Sequence, residues 1–162
     1  MAILKIYTSE SPILRRKAKA IQKFTPQVRQ LAKNMIETMR EAPGVGLAAP
    51  QIGVSDRLIV VEYEDEEYTL ANPEIIYRSE AVESGEEGCL SLPTLYGDVD
   101  RHTGVHISGL TPKNKRVNIE ADGWLARIFQ HEIDHLDGVL FIDRMAPGAQ
   151  LRAHRTKQDD EI

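Results

Sequence analysis

Apolar residues recur every three or four positions in two segments, which is the spacing of one face of an α-helix. The apolar positions of the first segment are Val28, Leu31, Ala32, Met35, Met39 and Ala42. Thr25 can cap this helix and Pro26 suits its first position, whereas Pro43–Gly44 ends it. The apolar positions of the second segment are Trp124, Leu125, Ile128 and Phe129. Asp122 is the candidate N-cap of this second helix, which ends near Gly138.

Shorter apolar runs between the two helices predict β-strands. The expected strands are residues 58–63, 68–71 and 75–77, and an antiparallel set from 97 to 121 with a hairpin connection at 111–115. Three further segments have other expected forms: a short strand or extended arm at 3–7, a loop at 44–53 and an acidic turn at 64–67.

Two main helices and antiparallel strands, with no repeat or linker between them, predict a single α+β domain over residues 1–146. The chain has 162 residues, of which 41% are apolar, so it can bury a core of its own. Residues 147–162 are polar and are expected to form a frayed or weakly helical C-terminal tail.

Composition and charge exclude several classes of function. No run of 18 apolar residues occurs, so we expect no membrane span, and residues 1–10 are too polar for a signal peptide. A lone cysteine, Cys89, fits a cytoplasmic protein without an internal disulfide. The formal net charge of −5 argues against general binding to DNA or RNA, which usually requires a basic surface.

His131 and His135 are the most informative polar pair of the second helix. Residues four apart lie on one helix face, so both imidazoles can reach a single metal ion. Glu132 adds a carboxylate next to the first histidine, as in the H-E-x-x-H motif of metal-dependent hydrolases. Two histidines leave a tetrahedral ion two ligands short. One ligand must therefore come from elsewhere in the chain, and the other position can stay open for water.

The usual third ligands of zinc peptidases are missing downstream of this motif. Phe141 stands where one peptidase class has a third histidine, and Glu161, the only later glutamate, lies in the polar tail. Cys89 remains upstream, and its thiolate would be a soft metal ligand. A lone cysteine can equally be a small buried apolar residue, so the residues alone leave both interpretations open.

Three segments together resemble one family, the peptide deformylases. They are Gly44–Gln51 (GVGLAAPQ), Glu87–Ser91 (EGCLS) and Gln130–His135 (QHEIDH). A short glycine motif or a single H-E-x-x-H recurs by chance, whereas three motifs in the family's order and spacing do not. The match covers roughly residues 1–145.

This resemblance implies a fold, a reaction and a metal. Antiparallel sheets would surround a central metal-binding helix, with a further helix near the N-terminus. The enzyme would remove the formyl group from the N-terminal formylmethionine of nascent polypeptides and release formate. The implied metal ligands are Cys89, His131 and His135, with water as the fourth. Fe(II) is the implied native ion, and Zn, Ni or Co would suit the same ligands in purified protein.

The resemblance also implies roles for four further residues. Glu132 would act as general base toward a metal-bound water and then as general acid toward the departing amine. The side-chain amide of Gln51 and the backbone N–H of Leu90 would donate hydrogen bonds to the tetrahedral oxyanion. Gly46 would bring its backbone close to the peptide, where a Cβ would be an obstruction.

An apolar slot for the methionine side chain is expected near the metal. Its candidate residues are Val45, Trp124 and Ile128, of which the last two share a helix face compatible with His131. Arg127 has two open interpretations. In the first, the aliphatic part of its side chain lines the slot and its guanidinium lies in water. In the second, it is a structural ion-pair partner.

The remaining histidines and Asp134 are expected to be structural. His102 and His106 lie in a predicted strand, where residues four apart are separated by about 13 Å and cannot share an ion. His154 lies in the tail. Asp134 points away from the two histidines and is expected to be a helix-face or supporting carboxylate.

The expected partner is a formylmethionyl peptide. Some bacterial members of the family dock on the ribosome through a longer C-terminal helix. Here a basic stretch at 151–155 is followed by an acidic one at 158–161, so the resemblance leaves ribosome docking open for this chain. Two rival functions are an inactive protein that recognises peptide N-termini, which Gln51 and Glu132 disfavour, and a zinc endopeptidase, which Phe141 disfavours.

Overall fold

The structure, a computed structural model, describes residues 2–155 of the chain. Within this range two α-helices, α1 (Pro26–Glu41) and α2 (Gly123–Leu136), pack on two antiparallel sheets. The strands are β1 (Gly46–Ala48), β2 (Leu58–Tyr63), β3 (Glu66–Arg78), β4 (Val82–Cys89), β5 (Leu92–His102), β6 (Gly104–Leu110) and β7 (Arg116–Asp122). Short 3-10 helices lie at Pro12–Arg15, Ala49–Ile52 and Phe141–Arg144.

The larger sheet has the strand order β1-β2-β3-β6-β7, and β4 and β5 form a separate hairpin. In the β2–β3 pair Tyr63 lies opposite Glu66, so the acidic turn is only Glu64–Asp65 and is shorter than predicted. β3 is one strand where two were predicted. It bulges at Asn72, whose side chain accepts a hydrogen bond from the Ile21 backbone N–H and donates one to the Ile21 carbonyl.

The loop predicted at 44–53 is partly wrong. Gly46–Ala48 pairs with Val61–Ile59 at the edge of the larger sheet, and a 3-10 helix follows directly. This pairing partner lies more than ten residues away along the chain, so the local pattern does not reveal it. Residues 3–7 form no strand, which was one of the two expected forms, and Tyr7 donates its backbone N–H to the carbonyl of Gln51 at 2.7 Å.

Both predicted helices are confirmed. The Thr25 hydroxyl accepts the backbone N–H of Val28 at 3.2 Å, which caps α1 as expected. Asp122 occupies the N-cap position of α2, but as far as the described residues show, its side chain makes no capping hydrogen bond. Asp122 is also the last residue of β7, where it pairs with Gly104, so its position is set by the sheet.

The core lies on both faces of the larger sheet. Because successive strand residues point to opposite sides, Ile59 and Val61 pack with Phe129 of α2, whereas Leu58 and Val60 pack with Met39 and its neighbours on α1. Every residue from 126 to 133 is buried, so α2 runs through the interior between the two sheets. This placement brings its polar residues together with the β4–β5 hairpin.

Residues 145–152 run beside β5, with antiparallel bridges between Val99 and Met145 and between Tyr96 and Arg152. The frayed or weakly helical form expected for the tail is therefore wrong for this part. The acidic end, 158–161, lies outside the described residues, and the division into a domain at 1–146 and a tail stays a prediction. Within residues 2–155, no helix is long and apolar enough to cross a membrane.

Candidate active site

Three side chains from two separate elements come together in the interior of the protein. Cys89 ends β4, and His131 and His135 lie one turn apart on α2. One potential ligand atom from each lies within 4.8 Å of the others, and each residue is at most 2% exposed. In residues 2–155 this is the one group of three or more histidines, cysteines or carboxylates with such geometry. The three predicted ligands are thus neighbours.

The atoms of this group fit a divalent metal. Nδ1 of His131 lies 2.8 Å from Glu87 Oε1, and a carboxylate can only accept, so Nδ1 carries the proton. In the neutral ring the other nitrogen, Nε2, holds the lone pair, and it is buried without a hydrogen-bond partner in the described part of the chain. A cation among one thiolate and two imidazoles would satisfy this nitrogen.

Glu132 lies beside this group and is completely buried. Neither of its carboxylate oxygens has a hydrogen-bond partner among residues 2–155. Burial disfavours the charged form and raises the pKa of Glu132 to about 7, against the attraction of the His131 charge. A carboxyl group with a pKa near neutrality can both take up and return a proton.

Gly46 is packed directly against this carboxylate. A Cβ at position 46 would clash with the Glu132 side chain, lying only 2.9 Å from its Cδ. Glycine was expected here because the peptide would approach its backbone, whereas the structure shows a reason within the protein itself. Glycine at this position leaves the space that the Glu132 carboxylate occupies.

The amide of Gln51 is held in one orientation. Its Oε1 accepts the backbone N–H of Ala48 at 3.0 Å, and its Nε2 donates to the Ser91 hydroxyl at 3.1 Å. The same Nε2 lies 3.7 Å from Cys89 Sγ. The donor side of Gln51 therefore faces the candidate metal site. Ser91 was missed in the sequence analysis as a residue with a role, although it lies in the EGCLS segment.

Glu87 was likewise missed, and it connects the site to a buried charge network. Arg101 donates to both of its oxygens at 2.9 and 3.0 Å, and Arg127 donates at 2.7 Å. Burial alone would raise the pKa of Glu87, but Arg101 and His131 outweigh burial and hold the pKa well below its usual range. Glu87 is therefore an anion that accepts from His131.

Arg127 is an ion-pair partner, which is the second of its two predicted interpretations. Its guanidinium is buried and donates to Glu87 and to the carbonyls of Val99 and Glu83. Its head therefore does not lie in bulk water. Gly85 makes room for it, because a Cβ at that position would lie 2.9 Å from the guanidinium carbon.

The candidate residues of the methionine slot lie on one apolar cluster. Ile128 is completely buried in it, and Val45 and Trp124 are half-buried and pack against it. Leu90 lies elsewhere, beside Cys89 in the wall of an open cleft. Trp124 and Ile128 lie on α2 and Val45 packs in the same cluster, and their assignment to substrate stays a prediction.

The other histidines lie outside the candidate metal site. His102 ends β5 and His106 lies within β6, so the two are on separate strands and not on one strand as predicted. His102 pairs with the carbonyl of Ser79 at 2.7 Å. Asp134 accepts hydrogen bonds from Arg101 and Arg144, as expected for a helix-face or supporting carboxylate.

Comparison with known proteins decides the family. Residues 3–150 match the model of the polypeptide deformylase family. The chain belongs to this family. A peptide deformylase of Natranaerobius thermophilus is 53% identical over 145 residues, which cover 89% of this chain and 93% of that one. The enzymes of this family are hydrolases that remove the N-terminal formyl group from nascent peptides, as the three motifs predicted.

Solved peptide deformylase structures share the fold. The crystal structure from Thermotoga maritima has a TM-score of 0.89 at 39% identity, covering 91% of this chain and all of that one (100%). The structure from Thermus thermophilus has a TM-score of 0.85 at 45% identity, covering 90% and 87%. The predicted α+β fold of the peptide deformylases is thus confirmed. The family is metal-dependent, and the Cys89–His131–His135 group is where this chain could bind the ion.

Proposed function

We propose that this peptide deformylase holds its metal with Cys89, His131 and His135 and moves the reacting proton with Glu132. The observation that carries the proposal is the unpaired, buried carboxylate of Glu132 beside a buried group of one thiol and two imidazoles. The substrate is the N-terminal formylmethionine of nascent chains, and we place the reaction in the cytoplasm, where such chains are made. Neither DNA binding nor ribosome docking forms part of the proposal.

The proposed native ion is Fe(II), and Zn, Ni or Co would suit the same donors in purified protein. When bound, the ion supplies a Lewis acid that polarises the formyl carbonyl and lowers the pKa of water. Metal binding would replace the Nε2 proton of His131, and Glu87 orients the ring for this by accepting its Nδ1 proton. The unpaired Nε2 of the same ring is then the donor toward the metal.

Glu132 accepts a proton from the attacking water and returns it to the departing amine. Its raised pKa of about 7 suits both steps, because the group exchanges a proton near neutral pH. The water oxygen bonds to the formyl carbon, the C–N bond breaks, and formate and a free α-amine result. The proton that Glu132 takes from water is the one that the amine receives, so the reaction requires no second acid.

Gln51 and Leu90 are the proposed donors to the oxyanion that forms on the formyl oxygen. Ala48 orients the Gln51 amide so that its Nε2 faces the site before the substrate arrives. A preoriented donor of this kind contributes about 3 kcal/mol to transition-state stabilisation. The backbone N–H of Leu90 follows Cys89 directly and would be the second donor. Val45, Trp124 and Ile128 are proposed to receive the methionine side chain.

A formate-release assay tests the function directly. We expect the protein, purified without oxygen, to release one formate per formyl-Met-Ala-Ser and to leave acetyl-Met-Ala-Ser intact. A chelator should abolish turnover and Fe(II) should restore it, and metal analysis identifies the bound ion. Peptide binding without formate release would indicate an inactive recognition protein, and cleavage of unformylated internal bonds would indicate an endopeptidase. Either result would contradict the proposal.

Glu87→Gln is expected to weaken metal binding by about 10- to 100-fold, the usual effect of losing a carboxylate behind a ligand histidine. A neutral amide no longer holds Nδ1 of His131 protonated, and it leaves Arg127 without its carboxylate partner and Arg101 with Asp134 alone. Competition with a chromophoric chelator measures the affinity, and thermal unfolding reports folding separately.

Glu86→Gln is the matched control for this variant. Glu86 is the preceding residue and is also buried, but it pairs with Arg152 instead of His131. Unchanged metal affinity in Glu87→Gln, or an equal loss in Glu86→Gln, would rule out the positioning role.

A further inference from the structure

The segment after the last 3-10 helix forms an arm that lies along the β4–β5 hairpin. We define the C-terminal arm as residues 145–155. Ala146 donates its backbone N–H to the carbonyl of Asp98 at 2.8 Å, and Arg152 and Tyr96 exchange backbone hydrogen bonds of 2.7 and 2.9 Å. The arm thus extends the hairpin in the manner of a third strand.

Side chains anchor this arm at two points. The guanidinium of Arg152 pairs with Glu86, which is buried, and lies 3.2 Å from Asp98. Gly97 leaves space for the arm, because a Cβ there would lie 2.9 Å from Met145 Cε and 3.6 Å from Leu151 Cδ2. The ion pairs and the close packing at this glycine hold the arm in place up to Arg152.

The end of the arm reaches the cleft that opens onto Cys89. This cleft has a volume of about 520 Å³, and its walls include Pro43, Leu90, Pro93 and Arg155. The guanidinium of Arg155 lies over the ring of Tyr96, 6.0 Å from its centre. A cation–π contact of this kind favours a position of the guanidinium beside the cleft. Of the described residues that line this cleft, Arg155 is the only basic or acidic one.

We propose that the C-terminal arm is one wall of the peptide cleft and that Arg155 favours formylmethionyl peptides with an acidic residue after the methionine. The inference rests on the proposed function, because it assumes that the peptide enters where Cys89 is reached. With the formyl group at the metal site, the residues that follow methionine extend along the cleft toward its walls. Among the described residues, Arg155 is the one cationic side chain that lines this cleft, and a cation there attracts carboxylates and repels lysine or arginine side chains.

The size of the effect follows from the exposure of Arg155, which lies at the surface. Exposed ion pairs are weak, so the preference for an acidic over a neutral peptide is expected to be about two- to fivefold in kcat/KM. It should decline as salt is added, because the Debye length shortens to about 3 Å at 1 M.

The experiment compares kcat/KM for formyl-Met-Asp-Ala, formyl-Met-Asn-Ala and formyl-Met-Lys-Ala on the metal-loaded full chain. The variants are Arg155→Gln and Arg155→Glu, and Lys113→Gln is the control for loss of a positive charge that does not line this cleft. We expect the Asp/Lys ratio to fall toward one in Arg155→Gln and to reverse in Arg155→Glu. The wild-type ratio should persist in Lys113→Gln and should decline with salt.

Formate release with an Asp/Lys ratio that is the same in wild type and Arg155→Glu would overturn this inference alone. An equal change of the ratio in Lys113→Gln would also overturn it, since the effect would then be one of net charge. A wild-type protein that releases no formate from any of the three peptides would overturn the proposed function, and this inference with it.

Discussion

Replacement of Glu132 by glutamine is expected to lower kcat by about 100- to 10,000-fold while the metal content stays unchanged. Glutamine keeps the volume that Gly46 leaves for this side chain, but it cannot accept a proton from water or return one to the amine. Formate release measures kcat, and metal analysis of the same preparation shows whether the site is intact.

Asp137→Asn is the matched control for this variant, since it removes one carboxylate at the C-terminal end of the same helix. Asp137 pairs with Arg57 at 3.1 Å, and its side chain is 46% exposed. Its kcat should stay close to wild type. A Glu132→Gln enzyme that keeps most of its kcat would show that another group moves the proton, and the assignment of Glu132 would be wrong.

Cys89→Ala is expected to lose the metal and the activity together. Loss of a residue that only hydrogen-bonds a metal ligand weakens metal binding by up to about 100-fold. Loss of the ligand itself should therefore weaken metal binding by more than about 100-fold. Metal content after dialysis and formate release after Fe(II) is added back are the two measurements. Thermal unfolding in the presence of a chelator separates the loss of metal from the loss of a buried side chain.

Cys89→Ser serves as the companion variant, because it nearly preserves size but replaces the soft sulfur by oxygen. It should retain more metal than Cys89→Ala and less than wild type. A Cys89→Ala protein with full metal content and an unchanged rate would contradict the ligand assignment. The lone cysteine would then be a small buried apolar residue, which was the alternative that the residues alone left open.

Much of the site could be predicted because its parts are local. The i, i+4 spacing of His131 and His135 on a periodic helix places both rings on one face, and this holds wherever the helix packs. The helix at 26–41 could equally be predicted from the sequence, since Thr25 and Pro26 mark its start. The order of the three motifs added Cys89 and Gln51, although no local rule brings them near α2.

The charge network around Glu87 could not be predicted in this way. Glu87 is separated along the chain by 14 residues from Arg101 and by 40 from Arg127. Which of the chain's 20 lysines and arginines pairs with it depends on how α2 packs against the β4–β5 hairpin. The ion-pair role of Arg127 was one of two open interpretations for the same reason. A long side chain such as that of Arg127 can cover an apolar surface or enter the interior. Which of the two occurs depends on the residues that the fold places around it.

The sequence by itself determined the elements whose signals are local: the two helices, the strand at 58–63 and the pair of histidines. Periodicity and capping act over a few residues, so they can be found in the chain directly. Only the tertiary structure decided that 46–48 is an edge strand, that Gly46 makes room for Glu132, and that the C-terminal arm lies beside β5. These features depend on strand pairing and close packing between residues far apart in the chain, and such contacts leave no periodic pattern in either segment.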